Sequence, residues 1–385
     1  GERVKERERE ERGLCRISKV SILKVFRIMD IDFTFKRPDH TDQSWYDSRE
    51  IGHPDDPYNK NCRKLEKSDP RYEKYLDIGR RLCDELEKDA TTGEEDGWIL
   101  VQEKDGVTTH KKENEGDALL TFRGFTVIPS TPEIIRLWLI QLDQRGYWDP
   151  TFEKASYELE AEVTARAAYN LYTAPWPVSW RDFFVIGSES IREGGLFVAG
   201  VHSVEDDEFP PQEGYVRGTI YSSGFVIKPL PPKEDGTPQC KVWYTGTVDP
   251  AGWLPTYVAN LVGSEQPMNL GKLRDLIVDV ADIIMDVFKV LFKEEEWTQN
   301  TIRAALDSTL AKYGYDDKPE LLYDAFKNYY LGQRVGPTDE ELLSQMEKEG
   351  KTQALAKLFK TFQHYIVSLP GGKDLFDMAE NYFKN

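Results

Sequence analysis

Few of the residues that build metal centres, disulfide frameworks or hydrolytic active sites occur in this sequence. Four cysteines (Cys15, Cys62, Cys83 and Cys240) lie far apart with no CxxC pair, so neither a zinc site nor a disulfide framework is expected, and a reducing compartment is the default. The five histidines (His40, His53, His110, His202 and His364) include no HExxH, and no GxSxG or phosphate-binding glycine loop is present. Basic charge is in deficit. With 50 Lys and Arg against 68 Asp and Glu the net charge is -18, which repels phosphate backbones and argues against nucleic acid as a partner. No signal peptide is read at the start, where five basic and five acidic side chains crowd the first thirteen residues. The first residue is Gly1, so tag residues or a processed terminus are considered and organelle targeting is left open. Long apolar runs are also missing. The nearest approach, Leu276 to Phe292, carries Asp279, Asp282, Asp286, Lys289 and Lys293 as one polar stripe, with Leu276, Ile277, Val280, Ile284, Val287 and Leu291 opposite. That pattern is an amphipathic helix rather than a membrane span.

What is present is a soluble, globular composition, with 12% aromatic and 31% charged residues. Residues 1–68 are rich in Pro, Asp, Asn and charge and read as an irregular, partly disordered segment. A first helix is expected from Arg71 to Lys88, N-capped by Asp69 with Pro70 at its first position. From Gly97 the period changes to two, beginning with a hairpin around Asp105-Gly106. A third strand ends at Ile128, a helix opens at Pro132, and strand candidates follow from Phe152 to Pro250. The amphipathic helix, expected from Leu270 to Phe292, closes the series, so the class is α+β over residues 69–293. Residues 294–385 read as a helical extension, with helices expected at Trp297–Tyr313, Pro319–Leu331, Thr338–Leu369 and Lys373–Phe383. The stripe from Leu355 to Leu369, flanked by Lys351, Lys357 and Lys360, suits packing on neighbouring helices, contact with a membrane surface or docking of a protein partner.

Six short motifs occur in a fixed order: Gly97-Trp98, Asp105 to Val107, RGYWD at Arg145 to Asp149, PWPVSWRDFF at Pro175 to Phe184, YVRG at Tyr215 to Gly218, and DPAGWLP at Asp249 to Pro255. In this set the chain resembles the steroidogenic-acute-regulatory-related lipid-transfer (START) family. The resemblance implies a helix-grip fold, in which a curved antiparallel sheet wraps a long C-terminal helix around a lipid-sized cavity. It implies a lipid or sterol-like ligand, transient contact with a membrane surface and no cofactor, in a cytoplasmic protein that is peripheral at membranes. Pocket positions expected from it are Arg145, Asp149, Tyr169, Tyr172, Phe183, Arg217, Ile220, Tyr221, Ile277 and Ile284. Trp176 and Trp180 in the loop from Ala174, with Trp253 and Leu254, are expected at the gate and the membrane. Tryptophan suits that boundary because its ring is apolar and its N–H still finds a partner.

Arg145 and Asp149 are four apart, so they pair if the segment turns helically. They serve either as polar pocket groups or as a buried pair tying helix to sheet. Arg181 and Asp182 are expected to be structural, because adjacent strand residues point to opposite faces, and Arg217 is left between the two roles. Where the phosphatidylcholine-binding branch of the family carries a glutamine, this sequence has Ile220, and an aromatic of that branch's choline cage falls near Asn170. The ligand is therefore left open. A helix-grip enzyme acting on a hydrophobic substrate would need a titratable group in the cavity, and Asp149, His202 and Tyr221 are its candidates.

Overall fold

The structure is a computed structural model that describes residues 62–140, 142, 145–162, 164–174, 178–323, 338–368 and 372–384. Two compact units are formed, one through Val278 and one from Asp279 onward.

The first unit begins earlier than the irregular reading allowed, because Arg63–Lys64 form a strand, β1, parallel to Leu159 and Glu160. Helix α1 (Pro70–Thr91) starts as the sequence indicates, with the Asp69 carboxylate accepting from the Arg71 N–H at 2.9 Å. Its buried residues Tyr72, Tyr75, Gly79, Leu82, Cys83, Leu86 and Ala90 recur at helical spacing and form one face. Strands β2 (Ile99–Lys104) and β3 (Val107–Glu113) are joined through Asp105 and Gly106, both at positive φ (52° and 70°), as a type I′ turn requires. Then come β4 (Leu120–Ile128), α2 (Pro132–Ile140), β5 (Phe152–Glu162), β6 (Ala165–Tyr172), β7 (Arg181–Arg192), β8 (Leu196–Ser203), β9 (Val216–Arg217), β10 (Thr219–Leu230) and β11 (Gln239–Asp249). These strands form one large curved sheet in the order β1-β5-β6-β7-β8-β10-β11-β4-β3-β2, antiparallel except where β1 meets β5 and where β9 pairs with β7 off this path.

One face of the sheet lies under α1. Tyr72 and Tyr75 pack with Tyr169, Phe184 and Ile186, and Leu82, Cys83 and Leu86 pack with Val198, Val226 and Trp243. Gly200 and Gly224 allow this approach, since a Cβ on either would sit 2.3 or 2.5 Å from Leu86 Cδ1. The other face carries Phe183, Val185 and Ile220, which cluster with Tyr172. Helices α3 (Thr256–Glu265) and α4 (Asn269–Lys293) follow β11. Helix α3 is not among the expected helices, and long-range bonds fix it to the start of β4: the Leu120 N–H donates to Asn260 Oδ1, and Asn260 Nδ2 donates to the Ala118 carbonyl. The first turns of α4 are tied to the β2–β3 hairpin, where Arg274 Nη1 donates to the Asp105 carbonyl at 2.9 Å.

The second unit contains α4 from Asp279 and helices α5 (Gln299–Lys312), α6 (Asp339–Glu349), α7 (Lys351–Ser368) and α8 (Gly372–Lys384). The single helix expected from Thr338 to Leu369 is two helices. The Thr338–Glu341 capping box is present, but Gly350 at φ 78° ends α6, and α7 restarts one residue later. Most of the helix expected over Pro319–Leu331 lies outside the described residues, as do residues 1–61.

Candidate functional site

The face of the sheet away from α1 collects the polar groups. RGYWD folds as a 3-10 turn over Arg145–Tyr147, and the backbone bond from the Asp149 N–H to the Arg145 carbonyl (2.9 Å) brings the two side chains together. Arg145 Nε donates to Asp149 Oδ2 at 3.1 Å. The other carboxylate oxygen accepts from the Thr151 hydroxyl at 2.8 Å, the Thr151 N–H at 3.3 Å and Asn269 Nδ2 at 3.5 Å. Asp149 is fully buried and so joins the start of α4 to the sheet. Trp148 locks the turn, donating through Nε1 to the Trp138 carbonyl of α2 while its ring meets Phe225 edge-on.

The Arg145 guanidinium is enclosed by three rings, at 5.3 Å from Trp148, 5.6 Å from Phe152 and 5.7 Å from Tyr172. Its Nη1 and Nη2 find no acceptor among the described residues, and its side chain keeps 19% of its surface accessible. Burial opposes the Arg145 charge, but Tyr172 and Asp149 outweigh it and raise the guanidinium pKa above its ordinary value. Burial pushes the phenols of Tyr172 and Tyr244 up as well, so both are proton donors at neutral pH. Tyr244 accepts from the Ser223 hydroxyl at 3.1 Å. The site thus offers guanidinium and phenol donors among aromatic faces, a set suited to an anionic or carbonyl-bearing end of an otherwise apolar molecule. A second buried pair, Arg136 of α2 on Glu189 of β7 at 3.0 Å, was not singled out in the sequence, where the two are 53 positions apart.

The expected pocket residues separate into groups. Arg145, Asp149 and Tyr172 come together, and Phe183 (5.7 Å from the Tyr172 ring) and Ile220 extend them as an apolar wall. Tyr169 does not join them, because it faces α1, packs its ring tilted against Phe184 at 5.1 Å and donates its hydroxyl to the Pro210 carbonyl at 2.7 Å. Arg217 lies on that same side, its Nη2 2.8 Å from the buried Asp182 carboxylate, and holds β9 to β7. Tyr221 is 44% exposed at a bulge between Ile220 and Ser222. In α4, Ile277 is buried in the first unit and Ile284 in the second.

Arg181, expected to be structural, points away from Asp182 and clamps the DPAGWLP loop. Its Nε donates to the Pro250 carbonyl at 3.0 Å and its Nη2 to that of Ala251 at 3.3 Å, while Nη1 reaches the Ser179 carbonyl. Ala251 and Gly252 both take positive φ there (53° and 77°). Beyond the clamp Trp253 is 69% exposed, and Tyr257, Leu261 and Val262 on α3 are exposed beside it. Leu254 is half-buried; Trp180 is exposed and packs 6.0 Å from Tyr215. Trp176 lies outside the described residues.

The family model for the START domain matches residues 80–275, half of the sequence. The chain belongs to the START family. Curated relatives of this START chain include mouse START domain-containing protein 10, 28% identical over 43% of this chain and 55% of the relative. Another is Protein ENHANCED DISEASE RESISTANCE 2-like from Arabidopsis thaliana, 27% identical over 42% of this chain and 24% of that protein. A third is human StAR-related lipid transfer protein 6, 24% identical over 35% of this chain and 62% of that protein. The match thus spans between about a quarter and three fifths of those relatives' lengths. Among solved structures, human StAR-related lipid transfer protein 5 matches with a TM-score of 0.48 at 18% identity, over 53% of this chain and 96% of that one. Human STARD10 matches with a TM-score of 0.45 at 23% identity, over 50% and 77%.

Groups that an enzyme would require are dispersed in this START domain. Asp149 is tied to Arg145 and Thr151, Tyr221 faces outward, and the His202 ring meets the Tyr221 carbonyl. Burial pushes the thiols of Cys62 and Cys83 up to about 11, away from a reactive thiolate. Among the described residues no group of His, Cys, Asp and Glu could hold a metal ion.

Proposed function

We propose that this chain binds one lipid molecule against the inner face of its sheet and carries it between membranes, with no chemical change to the lipid. The observation that carries the reading is Arg145, whose terminal nitrogens find no acceptor among the described residues and which three aromatic rings surround. A ligand with a phosphate or carboxylate end would take those nitrogens as a fork, and its acyl part would lie along Phe183, Val185 and Ile220. Mass spectrometry of solvent extracts from protein purified without detergent should find an unmodified lipid at about one per chain. Turnover of an added lipid would instead favour an enzyme. Arg145→Lys keeps a charge for Asp149 but loses the fork, so phosphatidic acid should bind about tenfold more weakly and diacylglycerol nearly as before. Equal losses for both, tracking a lower melting temperature, would make Arg145 purely structural.

The membrane contact is assigned to Trp253, Tyr257, Leu261 and Val262. All four are large, apolar and exposed, and Thr256 to Ser264 contains no charged residue. No described helix is long and apolar enough to cross a membrane. Trp253→Ser and Tyr257→Ser should each weaken partition onto phosphatidylcholine vesicles by about tenfold, from roughly 1.5 kcal/mol of lost burial, with melting temperature unchanged. Partition equal to wild type in the double variant would remove this face from the reading.

A further inference from the structure

On the outer face of the sheet, the one that α1 covers, two cations stand side by side. Lys228 of β10 and Lys241 of β11 are direct cross-strand partners. Both point to the outer face, because Val226 and Trp243, two positions along each strand, pack with Leu82 and Leu86 of α1. Like charges set opposite one another repel, and neither ammonium finds a carboxylate among the described residues. The α1 carboxylates that bond to the sheet at this end of the helix are engaged by other cations. Asp89 is held by Lys112 at 2.6 Å, and Asp84 and Glu87 by Arg192 at 2.6 and 3.6 Å.

Lys241 is also fixed in place. Its ammonium stands 3.8 Å from the ring centroid of Phe125 and 4.8 Å from that of Trp243, and ring faces hold a cation without cancelling its charge. Burial, then Arg123 and then Lys228 bring its pKa below the ordinary lysine value. Two buried polar atoms next to it are unpartnered as well. The His110 ring stacks on the same Phe125 at 5.9 Å, and its cross-strand neighbour is Arg123. Arg123 donates through Nη1 to the carbonyls of Asp89 and Thr92, but its Nε and His110 Nδ1 have no hydrogen-bond partner among the described residues, a state that folded proteins seldom leave to buried atoms. On the β4 side of Lys241 lies Val127, which is 42% exposed. Paired cations thus adjoin an accessible apolar edge.

We propose that Lys228 and Lys241 form a site on the outer face of the sheet for a phosphate monoester with an apolar substituent. The phosphate, close to a dianion at neutral pH, bridges the two ammonium groups and replaces their repulsion by attraction to a common centre. The substituent lies on Val127 and the edge of Phe125. This site is independent of the proposed lipid binding, since alternation along β11 sends Lys241 and Trp243 to one face and Tyr244 to the other. A soluble ester and a phospholipid headgroup offer the same chemistry to it.

Full-length wild type, the Lys228→Gln/Lys241→Gln variant and a Lys233→Gln control, in the exposed turn between β10 and β11, should be titrated with phenyl phosphate by calorimetry at low ionic strength. The double variant should bind about tenfold more weakly than wild type, and the control equally well. Before any phosphate is added, Lys228→Gln alone should raise the melting temperature by removing the repulsion. Saturating phenyl phosphate should raise that of wild type and leave that of the double variant unchanged. Sedimentation with phosphatidylcholine vesicles, with and without phosphatidic acid, separates the two sources. Pelleting that requires phosphatidic acid and falls in the double variant assigns the headgroup, whereas weaker phenyl phosphate binding with unaltered pelleting assigns a soluble ester. No binding of phenyl phosphate by wild type, or equal binding by wild type and the double variant, would overturn the site. So would a lower melting temperature in Lys228→Gln, which would show that the two lysines do not repel.

Discussion

Asp149→Ala should destabilise the sheet unit by about 3–5 kcal/mol, the range for breaking a buried ion pair. The carboxylate serves Arg145, Thr151 and Asn269, and replacing it leaves a guanidinium among three rings with no counter-charge among the described residues. The 3-10 turn, the residue before β5 and the distant start of α4 would lose their common point. Urea denaturation followed by far-ultraviolet circular dichroism measures the loss. Asp149→Asn separates charge from hydrogen bonding, since the amide can still accept from Thr151. It should recover a part of the stability and little of the affinity for phosphatidic acid. A loss below about 1 kcal/mol in the alanine variant would mean that water replaces the carboxylate and that the pair is not a linchpin of the site.

A comparable loss, about 3–5 kcal/mol, is expected from Phe288→Ala in the helical unit, as for large-to-small changes at buried aromatic positions. Phe288 is 1% exposed and touches the rings of Phe292, Phe359 and Phe362, and Phe359 in turn meets Phe376 at 4.9 Å. Removing it opens a cavity bounded by three helices that cannot all close on it. Segment-resolved hydrogen exchange against urea would place the loss in α7 and α8. If those helices keep wild-type protection, Phe288 is not the centre of that core.

The ordered strands and the DG hairpin were legible because period-two patterning and positive-φ turn residues are local signals. Arg145 and Asp149 were legible for the same reason, being one helical turn apart. Tyr169 and Tyr172 are separated by an odd number of positions on one strand, so only one can face the site. Tyr221 escapes the parity rule because a bulge shifts the register just before Ser222. The pairing of Arg217 with Asp182 depends on a parallel contact between segments 35 residues apart, which no periodicity announces. Helix α3 was missed for a different reason. Tyr257, Leu261 and Val262 face outward while Ala259 is buried, and the helix has no charged side, so it lacks the contrast that marks an amphipathic helix. The third C-terminal helix read as continuous because the apolar stripe passes Gly350 without a change of spacing, and only the positive φ there divides it.

The Arg181 clamp has a thermodynamic meaning for docking. A guanidinium held by the carbonyls of Ser179, Pro250 and Ala251 has no carboxylate partner among the described residues, and burial lowers its pKa. Those bonds hold Pro250 and Ala251 in their turn before any membrane is met. In the proposed membrane contact Trp253, three residues after Pro250, would meet the bilayer on a chain that has already lost its conformational freedom. Little further ordering entropy is required of it. The adhesion of this face should accordingly follow the transfer free energy of the rings themselves, and change with temperature as apolar burial does rather than as the folding of a loop.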